Sequence, residues 1–129
     1  MKEKFQLEYN LNNISVGILW NSISTHIGLS EWFADKVTIE DNIYTFLWGK
    51  LSQPAELLQS RTGSHIRFHW LDDEEKTYFE FRISLAEITN DVILTIIDYA
   101  EPEEHADSIE LWNKQVEVLK RHTGCNSAN

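Results

Sequence analysis

Five histidines, one cysteine and a handful of carboxylates are the side chains here that could move protons, attack a substrate or hold a metal. His65 and His69 come nearest to a chelating pair. On a strand they share a face, but four steps of ~3.3 Å set them ~13 Å apart, too far to hold one ion. His105 and His122 fall at opposite ends of one helical stretch, and all five histidines, His26 included, are read as surface groups. No metal is expected. Cys125 sits in the tail 125–129, where no fixed base stands beside its thiol, so it is not read as a nucleophile. Asp98 differs from the other carboxylates. Strand alternation puts it on the face of Leu94 and Ile96, where burial would raise its pKa. It is read as a structural group near the rim of the fold. Glu80 and Arg82 alternate with Phe79 and Phe81 and are read as a solvent-side ladder of charge pairs. Asp72, Asp73, Glu74 and Glu75 are read as a solvated hairpin tip. The motifs GxSxG, GxxxxGK[ST], GxGxxG, HExxH and CxxC do not occur. No catalytic residue and no cofactor is assigned.

The elements that would position these groups follow from hydrophobic period. Phe5, Leu7 and Tyr9 alternate with polar residues and predict a half-buried strand. Ile14, Ile18, Leu19, Ile23 and Ile27 fall near helical spacing behind the cap candidates Asn12, Asn13 and Ser15. Gly28 is read as the end of that helix, and Ser30 as the cap of a second short one running to Asp35. Val37 and Ile39 predict a short strand. Tyr44, Phe46 and Trp48, then Ile66, Phe68 and Trp70, then Phe79, Phe81, Ile83 and Leu85 alternate with polar residues between turn signals, and residues 92–100 close the series. Regular turns between short strands predict an antiparallel meander. At Pro102 the period changes to 3.6: Ala106, Ile109, Trp112, Val116 and Leu119 share one helical face over residues 103–123. A helix of about 20 residues and a nine-residue strand both span roughly 30 Å, so one helix can lie along the whole sheet.

Composition bounds the rest. The 129 residues suit one domain over 1–129, with a disordered tail at 125–129. Apolar residues make up 42% and charged residues 25%, as in an ordinary globular chain. The net charge of −10 repels phosphate backbones and anionic membranes, so neither nucleic acid nor membrane is an expected partner. The first residues hold no apolar run of signal-peptide length, and a cytoplasmic location is expected.

The order strand, two short helices, six strands, long helix carries local matches. They are Leu19-Trp20, the string from Gly28 through Ser30-Glu31-Trp32-Phe33-Ala34 to Asp35, Phe46-Leu47-Trp48-Gly49 and Leu111-Trp112. The chain resembles the START-like superfamily with the helix-grip fold of the birch-pollen allergens, and the Trp-Phe-Ala-Asp string resembles the branch related to activators of a heat-shock-chaperone ATPase. The resemblance implies an α+β fold, a curved antiparallel sheet wrapped around a long C-terminal helix. It also implies a hydrophobic cavity between the two. Members of the superfamily use that cavity for lipids, sterols, polyketides and other apolar ligands; some are cyclases or hydrolases, and some bind proteins.

The expected function is a non-enzymatic module holding a small apolar ligand, lipid-like or aromatic. The alternatives are a protein-interaction or chaperone-regulating module, and a cyclase- or hydrolase-like enzyme on an aromatic substrate. The candidate wall residues are Trp20, Phe33, Trp48, Phe68, Phe81, Ile109, Trp112 and Val116. Five Trp and six Phe could line such a pocket or fill it.

Overall fold

The computed structural model describes residues 1–124; the tail 125–129, with Cys125, falls outside the described residues. Strand β1 (Glu3–Asn10) leads into helices α1 (Val16–Ser24) and α2 (His26–Trp32). Strands β2 (Lys36–Glu40), β3 (Ile43–Trp48), β4 (Leu51–Arg61), β5 (His65–Trp70), β6 (Phe79–Leu85) and β7 (Val92–Ala100) follow. A short 3₁₀ turn at Pro102–Glu104 then opens the long helix α3 (His105–Thr123). The strands form one seven-stranded antiparallel sheet in the order β1-β7-β6-β5-β4-β3-β2. The expected α+β helix-grip architecture is present: a curved sheet, two early helices and a long C-terminal helix. No helix among the described residues is long and apolar enough to cross a membrane.

Register follows from the alternation read in the sequence. Phe81 stands opposite Ile66 on one side and Ile96 on the other, and Phe68 opposite Phe79 and Leu57, so the large apolar residues of successive strands share the inner face. A one-residue slip would turn every one of them to water. Phe46, Phe68, Phe79 and Phe81 are fully buried there. Helix α3 covers this face with Trp112, Val116 and Leu119. Lys120, Arg121 and His122 complement the negative end of its dipole, and Gly124 ends it in the left-handed region at φ 77°. In β4 the register shifts between Leu57 and Gln59, and Leu58 is turned outward, 46% exposed.

Three local readings need correction. Gly28 does not end the first helix. The break comes at Thr25, whose side chain accepts the N–H of Gly28 and so caps α2, while Ser30 lies inside α2 and donates its hydroxyl to the His26 carbonyl. Gly28 is needed for a different reason: a Cβ there would lie 2.1 Å from the Asn21 carbonyl oxygen and 2.7 Å from Ser22 Cα. It lets α2 pack directly on the backbone of α1, and the Trp32 indole N–H, 2.8 Å from the Ser22 carbonyl, ties the same pair. The third correction concerns Glu80. It faces outward as expected, yet its side chain is 0% exposed, because Arg67 (2.5 Å) and Arg82 clasp one carboxylate oxygen each. The Arg67 guanidinium also lies 4.0 Å over the Tyr78 ring. Flanking side chains cover this position, which alternation alone assigns to solvent.

Two substitutions test the packing. Gly28→Ala must push backbone against backbone, and a loss of about 1–3 kcal/mol in urea unfolding is expected. Trp112→Ala empties a site only 6% exposed and should cost about 3–5 kcal/mol. A loss under about 1 kcal/mol in either variant would contradict the contacts described.

Candidate functional site

The turn that leaves α2 organises one end of the molecule. Phe33 points between the sheet and α3, stacked on Trp112 with centroids 5.6 Å apart and planes 10° from parallel. Its edge contacts include Phe46, Trp48 and Phe81 at 5.1–5.7 Å. The Phe33 carbonyl is equally occupied: it accepts the indole N–H of Trp48 at 2.8 Å and the side-chain amide of Gln115 at 3.0 Å. One residue therefore fixes the end of β3 and the middle of α3. Two positions on, Asp35 accepts the backbone N–H of Gly49 at 2.7 Å and holds the β3–β4 turn, where Gly49 adopts φ 57°.

Around this anchor the inner face and α3 diverge and leave a cleft of about 780 Å³. Its rings are Trp32, Phe33, Trp48, Trp70 and Trp112, its polar groups include Gln53, Gln115, Ser30 and Ser108, and Leu51 and Leu111 flank the mouth, more than half exposed. The size falls within the range of small-molecule sites, which are mostly apolar with a few convergent polar groups. The charged residues lining it are Glu31, Asp35 and Asp98, with no Lys, Arg or His among the lining residues.

Asp98 is the unusual member. It lies on the inner face of β7, opposite Phe5. Its Oδ2 accepts the Trp112 indole N–H at 2.9 Å, and its Oδ1 accepts the N–H of Tyr99 at 2.7 Å. Burial among apolar neighbours pushes its pKa up to about 6, although both hydrogen bonds and the Lys2 charge oppose the shift. Desolvation of the charged form outweighs them. Lys2 stabilises Asp98 only at a distance, since its ammonium is held by Asp73 at 2.8 Å.

Of the residues expected at a pocket wall, Phe33, Trp48 and Trp112 meet at the cleft. Phe68, Phe81 and Val116 lie deeper in the packed core, at most 1% exposed, and Trp20 and Ile109 are half-buried away from the cleft. Trp32, Trp70, Gln115 and Asp98 line it without having been assigned to it. Trp70 carried the same alternation signal as Trp48, and Trp32 adjoins Phe33 in sequence. Gln115 gave no signal. Two of the histidines serve the framework: His69 Nδ1 lies 2.8 Å from the Thr77 carbonyl, and the His105 ring packs on Phe5 at 5.1 Å, while His26 and His122 are exposed.

The Asp98 carboxyl makes stability depend on pH with a definite sign. In an unfolded chain it titrates near 3.8, in the folded protein at about 6. Between these values the folded state holds the extra proton, so stability falls as pH rises through the interval and is level above it. The interval corresponds to about 3 kcal/mol. Asp98→Asn keeps an acceptor for Trp112 but has no charge to bury. Relative to the unaltered protein it should therefore gain about 2 kcal/mol between pH 4 and pH 7 in urea unfolding. A difference that does not change with pH would contradict the buried carboxyl.

Comparison with known proteins matches this architecture. No curated protein matches the chain. A Bacteroides fragilis protein solved by NMR in solution is 49% identical, with 94% of this chain and 90% of that one covered and a TM-score of 0.67. The Aha1 dimer from Colwellia psychrerythraea superposes with a TM-score of 0.74 at 11% identity, over 95% of this chain and 96% of that one. DynU16, from the dynemicin biosynthetic locus, gives 0.77 at 14% identity, over 92% of this chain and 46% of that one. The last two show a shared fold and no more. The model of the START-like superfamily domain matches residues 1–125, and the chain belongs to that superfamily.

Proposed function

We propose that the chain is a cytoplasmic, non-enzymatic binding module that holds a small apolar ligand between α3 and the inner face of the sheet. The observation that carries this reading is the 780 Å³ cleft with five aromatic rings on its walls. Phe33, Trp48 and Trp112 contact the ligand, with Trp32 and Trp70 completing the ring wall. Phe68, Phe81 and Val116 stand behind them as packing that keeps the rings in place. The hydrogen bonds of the Trp48 and Trp112 indoles fix those rings before a ligand arrives, so little side-chain freedom is lost on binding. Membership of the superfamily supports the reading, because its fold commonly houses small ligands.

A second reading rests on Asp98. A carboxyl with a pKa of about 6 at the side of an aromatic cleft is suited to general acid or base work near neutral pH. An enzyme acting on a flat aromatic substrate would use it so.

Titration with a fatty acid, a sterol and a flat aromatic hydrocarbon, followed through the backbone amide and indole N–H resonances, separates the readings. Saturable shifts at Trp48 and Trp112, with Trp20 unmoved, are expected for at least one class. Shifts confined to the exposed Ile18 and Ile27 on α1 and α2 would point to a protein partner instead. Turnover of a bound aromatic with an apparent pKa near 6, lost in Asp98→Asn, would establish the enzyme.

A further inference from the structure

The charges around the cleft narrow the chemistry of its occupant. Glu31, Asp35 and Asp98 line it, and no lining residue carries a positive charge. Five aromatic side chains line the same space. We propose that the ligand joins a flat apolar body to a protonated basic nitrogen, with the body among the Trp rings and the ammonium against Asp98. The inference rests on the reading of the cleft as an apolar ligand site and names the class of ligand that site takes.

Each alternative ligand charge meets an obstacle. A carboxylate or phosphate in the cleft would face three acidic side chains with no cation to pair with. A neutral hydrocarbon would cover Asp98 further and take away its remaining water, so at neutral pH its binding carries the added cost of protonating the carboxyl. A cation supplies what the site lacks. Each oxygen of Asp98 uses one lone pair, on Tyr99 N–H or on the Trp112 indole, and keeps another for an incoming donor. Lys2, the nearest lysine in charge terms, is occupied by Asp73. The overall charge of −10 draws cations toward the protein at long range.

The proposal links binding to protonation. A bound ammonium favours the Asp98 carboxylate, so affinity for a cation rises with pH through the carboxyl's titration and levels off above it. The charged groups that act on Asp98 are Lys2 ahead of β1 and Asp73 in the β5–β6 loop; Glu31 and Asp35 line the same cleft, and His105 on α3 packs on Phe5, the residue opposite Asp98. The Asp98→Asn variant separates its contribution from theirs.

Three probes of similar shape provide the test: naphthalen-2-ylmethylamine, 2-ethylnaphthalene and 2-naphthylacetate, titrated at pH 7 and pH 5 and read through the Trp48 and Trp112 indole resonances. The amine should bind at least about tenfold more tightly than the hydrocarbon at pH 7, and the acetate most weakly. The amine's advantage should shrink severalfold at pH 5, where Asp98 is protonated, and vanish in Asp98→Asn. The pH comparison on the unaltered protein keeps the test valid if that variant does not fold. If the hydrocarbon binds in the cleft as tightly as the amine, or the amine's advantage is as large at pH 5 as at pH 7, the cationic-ligand inference is overturned and the apolar site stands. If none of the three moves the cleft indoles, both fail.

Discussion

The contacts of Phe33 are the constraint on which the rest of this end of the molecule depends. Its ring is pressed between the sheet and α3, and its carbonyl takes hydrogen bonds from Trp48 and Gln115. A carbonyl just past the end of a helix would otherwise need water or another partner. Here the two donors come from a strand and from the distant C-terminal helix, so the end of α2 sets the spacing between them. Without that spacer, α3 could close onto the sheet and the cleft would fill. The approach of α2 to α1 through Gly28 is part of the same device, since it fixes where α2 ends.

The sequence string from Trp32 to Asp35 is thus both the segment that resembles a known branch of the superfamily and the segment that builds the cleft. Trp32 ties α2 to α1, Phe33 wedges the layers apart, and Asp35 holds the neighbouring turn. All of them, with Ala34, line the open space. A local motif that fixes a helix end, a strand end and a turn together cannot change one residue at a time without moving the pocket.

Period alone made much of the fold legible. Alternation assigned Phe46, Phe68, Phe79 and Phe81 to one face, and the 3.6-residue repeat placed Trp112, Val116 and Leu119 on the buried face of α3. Alternation gives a face but not a depth. Phe68 and Phe81 share the inner face with Trp48, yet only Trp48 reaches the cleft, because depth is set by sheet curvature and by where α2 ends. The same limit explains Glu80, whose outward position says nothing of the two arginines folded over it. Gly28 shows another limit: a glycine marks a helix end and a close helix contact with the same letter. Asp98 was legible as an inward carboxyl, but its bond to Trp112 joins residues whose approach depends on how α3 lies across the sheet.

Asp98 also sets a cost in stability. A carboxylate among rings costs the folded protein free energy above its pKa, and an apolar side chain of similar size would not. Groups held at such cost concentrate where a ligand or substrate uses them. The most direct measurement is a set of intermolecular nuclear Overhauser effects on the protein saturated with naphthalen-2-ylmethylamine. Cross-peaks from the naphthalene protons to the rings of Phe33, Trp48 and Trp112 are the expected result. Cross-peaks instead to Ile18, Ile27 or the outer-face Tyr78 would contradict a ligand site in the cleft.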